Sequence, residues 1–137
     1  MNKTELLKSV SLFWDLKEEE FGYIADRMVS KNFENGNLIF LEESQGENLF
    51  FVVEGSVKIT RLSKDGREVI LAMLNSGDFF GEMSLLDGEA RSANVIALED
   101  TEVLTLNRKD FLEVLHNYPQ IAIQLLKEMT SRLRKSD

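Results

Sequence analysis

The sequence predicts a mainly β fold, a β-roll of about eight strands flanked by N-terminal and C-terminal helices, and three observations predict it. Between Lys31 and Leu106 the apolar residues come in short runs or alternate with polar ones. Turn signals rich in Gly, Asn and Asp separate those runs. On either side of this stretch the apolar spacing changes to the helical period.

Thr4-Glu5-Leu6-Leu7-Lys8 opens as a short capped helix with Leu6, Leu7 and Val10 on one side. Leu12-Phe13-Trp14 follows as an apolar plug. Lys17 to Val29 then carries Phe21, Ile24, Ala25 and Met28 at helical spacing. Helices are therefore expected over 4–29 and the roll over 31–106. Within the roll, Asn35-Gly36-Asn37 precedes Leu38-Ile39-Phe40-Leu41, and Gln45-Gly46-Glu47-Asn48 precedes Leu49-Phe50-Phe51-Val52-Val53. Glu54-Gly55 leads into the period-two stretch Val57-Ile59-Arg61. Lys64-Asp65-Gly66-Arg67 is a hairpin turn, because Asp-Gly takes positive φ readily. Val69 to Leu74 reads as a strand apolar on both faces, and Asn75-Ser76-Gly77-Asp78 turns again. Val95 to Leu98 and Val103 to Leu106 complete the set around a Glu99-Asp100 turn. The paired phenylalanines Phe50-Phe51 and Phe79-Phe80 read as core filling.

Helix returns after Leu106. Asn107 caps a segment from Arg108 to Leu115, and Pro119 sits in the first turn of a last helix running toward Arg134. The C-terminal helices thus fill 108–135. Ala122, Leu125, Leu126, Met129 and Leu133 form one stripe, suited to packing on the roll or on a second copy of the chain. No repeat or linker interrupts the 137 residues, which read as a single domain, 1–137.

Composition narrows the function. A formal charge of −8 opposes broad binding to a nucleic-acid backbone, which needs a basic surface. A single anionic ligand stays compatible, because one local arginine outweighs distant acids. With no cysteine there are no disulfides, thiolate zinc sites or Cys-ligated clusters. His116 is the only histidine, too few for a cupin-type metal oxygenase, so no metal ligand and no catalytic residue is assigned and no enzyme is expected. His116 itself reads as a surface or capping residue near a helix end. Met1-Asn2-Lys3-Thr4-Glu5 has no apolar stretch behind it, and no apolar run approaches the roughly 20 residues that span a bilayer. The expectation is a cytoplasmic protein without membrane association.

The segment that carries chemistry is Phe79-Phe80-Gly81-Glu82-Met83-Ser84-Leu85-Leu86-Asp87-Gly88-Glu89-Ala90-Arg91-Ser92-Ala93. It lies between two strands and is too long for a hairpin turn. Met83 to Leu86 suits one helical turn closed by Asp87-Gly88, and a glycine before such a turn leaves backbone N–H groups open to an anion. Arg91 and Ser92 can curl back over that terminus. Arg offers a fork matched to two phosphate oxygens, and Ser adds a hydroxyl donor. Glu82 is a poor phosphate ligand and a good acceptor for a neighbouring sugar hydroxyl. From the pattern alone, a solvated surface loop remains an equal reading.

Phe-Gly-Glu followed nine residues after the Glu by Arg-Ser-Ala resembles the phosphate-binding cassette of the Crp/Fnr (catabolite activator) superfamily of cyclic-nucleotide-binding domains. The resemblance covers nearly the whole chain: Leu12-Phe13, Gly36-Asn37-Leu38-Ile39-Phe40, Leu49 to Ile59, Gly77 to Leu86, Arg91-Ser92-Ala93, and Tyr118-Pro119 to Arg132-Leu133 follow the family order. It implies a double-stranded β-helix, jelly-roll-like, with the cassette at 79–93. It also implies that Gly81 and the backbone after it, Met83 and Ser84 included, meet a cyclic phosphate. Glu82 would take the ribose 2′-hydroxyl, Arg91 the exocyclic phosphate oxygens and Ser92 a phosphate hydrogen bond, with Ala93 completing the motif. The base would be read from the C-terminal helix, whose matching polar position is about Ser136. Arg-Ser-Ala matches the cAMP type, so the resemblance implies a cAMP sensor that regulates transcription and pairs as a homodimer through the C-terminal helix, with no cofactor beyond the nucleotide.

Two departures from the family pattern stand out. Ala90 replaces a proline common before the cassette Arg, and Glu43 falls where many members have glycine, so the turn there is expected to differ. Transcription-regulating members carry a winged helix-turn-helix after the long helix, whereas this sequence stops at Lys135-Ser136-Asp137; the expectation is that this chain does not bind DNA by itself. Two alternatives stay open. One is a domain of the same kind that has lost its ligand and serves as a dimerisation or partner-binding module. The other is a sensor of a different small effector.

Overall fold

From Val29 to Asn107 the chain runs through eight strands: β1 (Val29–Phe33), β2 (Leu38–Phe40), β3 (Asn48–Glu54), β4 (Ser56–Leu62), β5 (Glu68–Asn75), β6 (Phe79–Phe80), β7 (Asn94–Ala97) and β8 (Thr101–Asn107). They pair in a nested way, β1 with β8, β2 with β7, β3 with β6 and β4 with β5, every pair antiparallel. The strand sequence is thus one long hairpin folded at the β4–β5 turn. Rolling that hairpin sends alternate rungs to opposite sheets, β1-β8-β3-β6 and β2-β7-β4-β5, which is the expected double-stranded β-helix. At the fold point only Gly66 of the Asp-Gly pair takes the left-handed conformation, at φ +82°.

The computed structural model describes residues 3–135. It divides into two compact units, the roll from Met28 to Arg108, and a helical unit from the segments before Met28 and after Arg108. The roll is filled from both sheets. Phe50 and Val52 of β3, Phe80 of β6 and Val103 of β8 meet Val57 of β4 and Val95 of β7, with Phe33, Ile39, Phe40, Ile59 and Leu74 against them. The paired phenylalanines are core, as their spacing predicts, and Phe50 and Phe80 also stack on each other at 5.0 Å with planes 2° apart. Strand β5 is apolar on both faces as expected, yet Val69, Ile70, Leu71 and Met73 are exposed, because β5 is an edge strand covered on one side only by β4.

In the helical unit, α1 (Lys3–Ser9) buries Leu6 and Leu7, and a 3₁₀ turn at Ser11–Phe13 buries Leu12 and Phe13. Helix α2 (Glu18–Ala25) starts where Glu20 accepts the Lys17 N–H at 2.8 Å. It ends at Ala25, short of the expected Val29. The β-branched Val29 opens β1 instead, opposite Thr105, and strand pairing overrides the apolar spacing through Met28. Helix α4 spans Arg108–Asn117 and α5 spans Pro119–Lys135. The single apolar stripe expected on α5 divides in two. Ile121 and Leu125 are buried, whereas Ile123, Leu126 and Leu133 are 55%, 67% and 69% exposed. The Ser11 hydroxyl donates to Glu128, and Trp14 Nε1 donates to Gln124 at 3.3 Å, so the 3₁₀ turn covers one side of α5. Among the described residues no helix is long and apolar enough to cross a membrane.

Candidate anion site

The site lies wholly within the roll. After β6, Gly81 turns at φ +92° into α3 (Glu82–Asp87), and Gly88 ends it at φ +75°, with its N–H donating to the Ser84 carbonyl at 3.0 Å. This is the single helical turn the sequence predicts, and each flanking conformation is one that a side chain resists. Helix α3 turns Glu82, Ser84 and Leu85 inward and Met83 and Leu86 outward.

Arg91 follows the helix and is 4% exposed. Its Nη1 donates to the Gly81 carbonyl at 2.6 Å and its Nη2 to the Asn48 carbonyl at 2.7 Å. Its Cζ lies 4.2 Å from the centroid of Phe40 and 5.8 Å from that of Phe50, so the cation rests on the aromatic stack of the roll core. The main chain is held as well: the Glu43 N–H donates to the Arg91 carbonyl and the Arg91 N–H to the Ser44 carbonyl, both at 2.8 Å. Burial pushes the Arg91 guanidinium below its ordinary pKa, while the carboxylates of Glu82 and Glu47 push back. One of its three nitrogens is left over, because the buried Nε has no hydrogen-bond partner among the described residues. A buried cation with an orphaned N–H is a strong request for an anionic acceptor.

The loop beneath is shaped to this guanidinium. A Cβ on Gly46 would stand 2.5 Å from Ser84 Cβ and 2.7 Å from Arg91 Cζ. Glu43 takes φ +72°, in the left-handed region that favours glycine, and is the only non-glycine among the described residues to do so. Its two-way bonding through Arg91 and Ser44 maintains it. Glu43→Gly should therefore stabilise the fold by about 0.5–1 kcal/mol, the strain released less the added freedom of the unfolded glycine. A raised urea midpoint checks this, and a lowered one counts against it.

The fold thus brings Gly81, Glu82, Ser84 and Arg91 to one place. Met83 points its side chain outward, Ala93 is buried, and Ser92 lies exposed at the mouth, its carbonyl accepting from Arg61 Nε at 3.4 Å. Ser136 lies outside the described residues. The sequence reading missed Gly46, Asn48 and Phe40. Gln45-Gly46-Glu47-Asn48 reads as an ordinary turn, Asn48 acts through its carbonyl, and Phe40 looks like any strand residue.

The nested β-roll thus buries Arg91 behind a Gly-Glu helical turn, which makes this place a candidate anion site. Residues 30–118 match the family of the cyclic nucleotide-binding domain, and this chain belongs to that family. It is 37% identical over 131 residues to the cyclic AMP receptor protein of Thermus thermophilus, covering 96% of this chain and 61% of that one. The crystal structure of the Thermus thermophilus catabolite activator protein superposes with a TM-score of 0.87 at 38% identity, over 93% of this chain and 60% of the other. The regulatory domain of Toxoplasma gondii PKA, solved with cAMP, superposes with a TM-score of 0.83 at 29% identity, over 94% and 48% respectively. The chain spans about three fifths of the length of the first of these relatives.

Proposed function

We propose that the chain is a cyclic-nucleotide sensor of the cAMP type, the regulatory part of a Crp/Fnr-like transcription regulator that works in the cytoplasm. The observation that carries this reading is Arg91, buried, anchored through both Nη atoms and left with an unpartnered Nε. In this reading Arg91 pairs with the exocyclic phosphate oxygens. Gly81 and the backbone at Met83 and Ser84 line the phosphate, Ser92 donates to it from the mouth beside Ala93, and Glu82 takes the ribose 2′-hydroxyl. No step needs a catalytic group or a further cofactor. DNA binding is not assigned to these residues, consistent with their acidic balance.

The same loop offers a path for output. Asn48 holds the Arg91 side chain, and the neighbouring Glu47 carbonyl accepts the N–H of Arg108, the first residue of α4, at 2.9 Å. A ligand that redirects Arg91 shifts the population of this loop and with it Arg108, where the roll ends. The named relatives support cAMP as ligand, since one is a cyclic AMP receptor protein and another was solved with cAMP. The test is thermal unfolding with and without cAMP and cGMP. At a hundredfold excess over Kd a true ligand adds about 2.7 kcal/mol. Absence of a shift with either nucleotide overturns the reading.

A homodimer through α5 belongs to the same proposal. Ile123 and Leu126 are exposed on one side of the helix, and Leu133 continues that side two turns on. Sedimentation equilibrium should show a dimer that Leu126→Glu dissociates. A monomer at the highest attainable concentration counts against it.

A further inference from the structure

The segment that wraps Arg91 is acidic. From Glu42 to Asn48 it carries Glu42, Glu43 and Glu47 and no cation, and the cassette adds Glu82, Asp87 and Glu89. Glu43 and Glu47 are exposed, and no salt bridge engages either among the described residues. Glu43 is tied to Arg91 through the main chain, its N–H donating to the Arg91 carbonyl, and Glu47 lies between Gly46 and Asn48, beside the guanidinium on which its carboxylate acts. Two cations face the cassette from other elements: Arg61 on β4, bonded to the Ser92 carbonyl, and Arg108, near Gly88. Acids still outnumber cations around the site, and Arg91 is the one cation buried in it.

One buried guanidinium neutralises one charge. A cyclic phosphodiester carries a single negative charge, whereas a phosphate monoester carries close to two at neutral pH and nucleoside triphosphates carry more. Any surplus charge has no second buried cation to meet it among the described residues. We propose that this rim is a charge filter, with Glu43 and Glu47 as specificity-determining residues that make the site accept a monoanionic cyclic phosphodiester and reject linear nucleotides and other multiply charged phosphates. The inference rests on the cyclic-nucleotide reading above and adds the reason for its selectivity. It also gives a use to the strained Glu43, which holds a carboxylate where an uncharged glycine would be relaxed.

The experiment is calorimetric titration of the full chain with cAMP and with 5′-AMP at about pH 8, where the monoester is a dianion. The variants are Glu43→Gln, Glu47→Gln and the double variant, which keep shape and remove charge. In the double variant 5′-AMP affinity should rise about tenfold and cAMP affinity less than about threefold, and raised salt should narrow the ratio in the unaltered protein. Taking both ligands on each variant makes the ratio independent of any change in stability. If cAMP binds and the ratio does not move in the double variant, the filter is wrong while the sensor reading stands. If neither cAMP nor cGMP binds the unaltered protein, the sensor reading falls and the filter with it.

Discussion

Arg91→Ala should abolish the stabilisation that cAMP confers and weaken nucleotide binding by two to three orders of magnitude, about 3–4 kcal/mol. The effect is large because the guanidinium is already fixed. Gly81 and Asn48 hold Nη1 and Nη2 at 2.6 and 2.7 Å, so little side-chain entropy is lost when a phosphate arrives. Removing the side chain also strips the donors from two carbonyls in the loop, which adds an unfolding penalty. Loss of a buried charge offsets part of that penalty. Stability and affinity should therefore change by different amounts, and calorimetric titration separates them. Arg91→Lys should bind far worse than the native protein, because one ammonium cannot span both carbonyls and a ligand. Retention of cAMP affinity within about tenfold in Arg91→Ala would move the site elsewhere.

The roll was legible because its turns are punctuated by residues with a physical reason to turn, Gly66 and Gly77 among them, both at positive φ. The cassette was legible because Gly81, Glu82, Arg91 and Ser92 stand close enough in sequence to be read together. What stayed hidden acts through the backbone or through tertiary context. The Asn48 carbonyl that holds Arg91 has no signature in the side chain, and Gly46 takes no positive φ, so its need for glycine appears only once Ser84 and Arg91 are packed against it. Val29 was drawn into a helix by local spacing, because its partner Thr105 is far away in sequence. The α5 stripe split because a helical period cannot distinguish the side that meets the 3₁₀ turn from the side left exposed. Glu43 shows the opposite case: the residue is not a glycine, yet its backbone takes the left-handed conformation that favours one.

Phe80→Ala should destabilise the fold by about 3–5 kcal/mol, a large share of the roughly 5–15 kcal/mol typical of a domain. Phe80 is 1% exposed, stacks on Phe50 at 5.0 Å and lies 5.9 Å from Phe40, so its removal opens a cavity where both sheets meet. Strand β6 consists of Phe79 and Phe80 alone, paired with Phe51 and Phe50, which leaves little else to hold the strand in place. Gly81 follows directly, and its carbonyl is an anchor of Arg91. Core and site are thus joined through one residue, and the variant that remains folded should also bind nucleotide more weakly. Phe80→Leu separates the two effects, since it refills most of the volume and should cost roughly 1–2 kcal/mol while losing the ring that stacks on Phe50, one of the two rings beneath the Arg91 cation. Chemical denaturation gives the stability of each variant and titration of the folded fraction gives the affinity. If Phe80→Ala lost stability with native affinity, the stack would be core alone and Arg91 would owe its position to the two carbonyls.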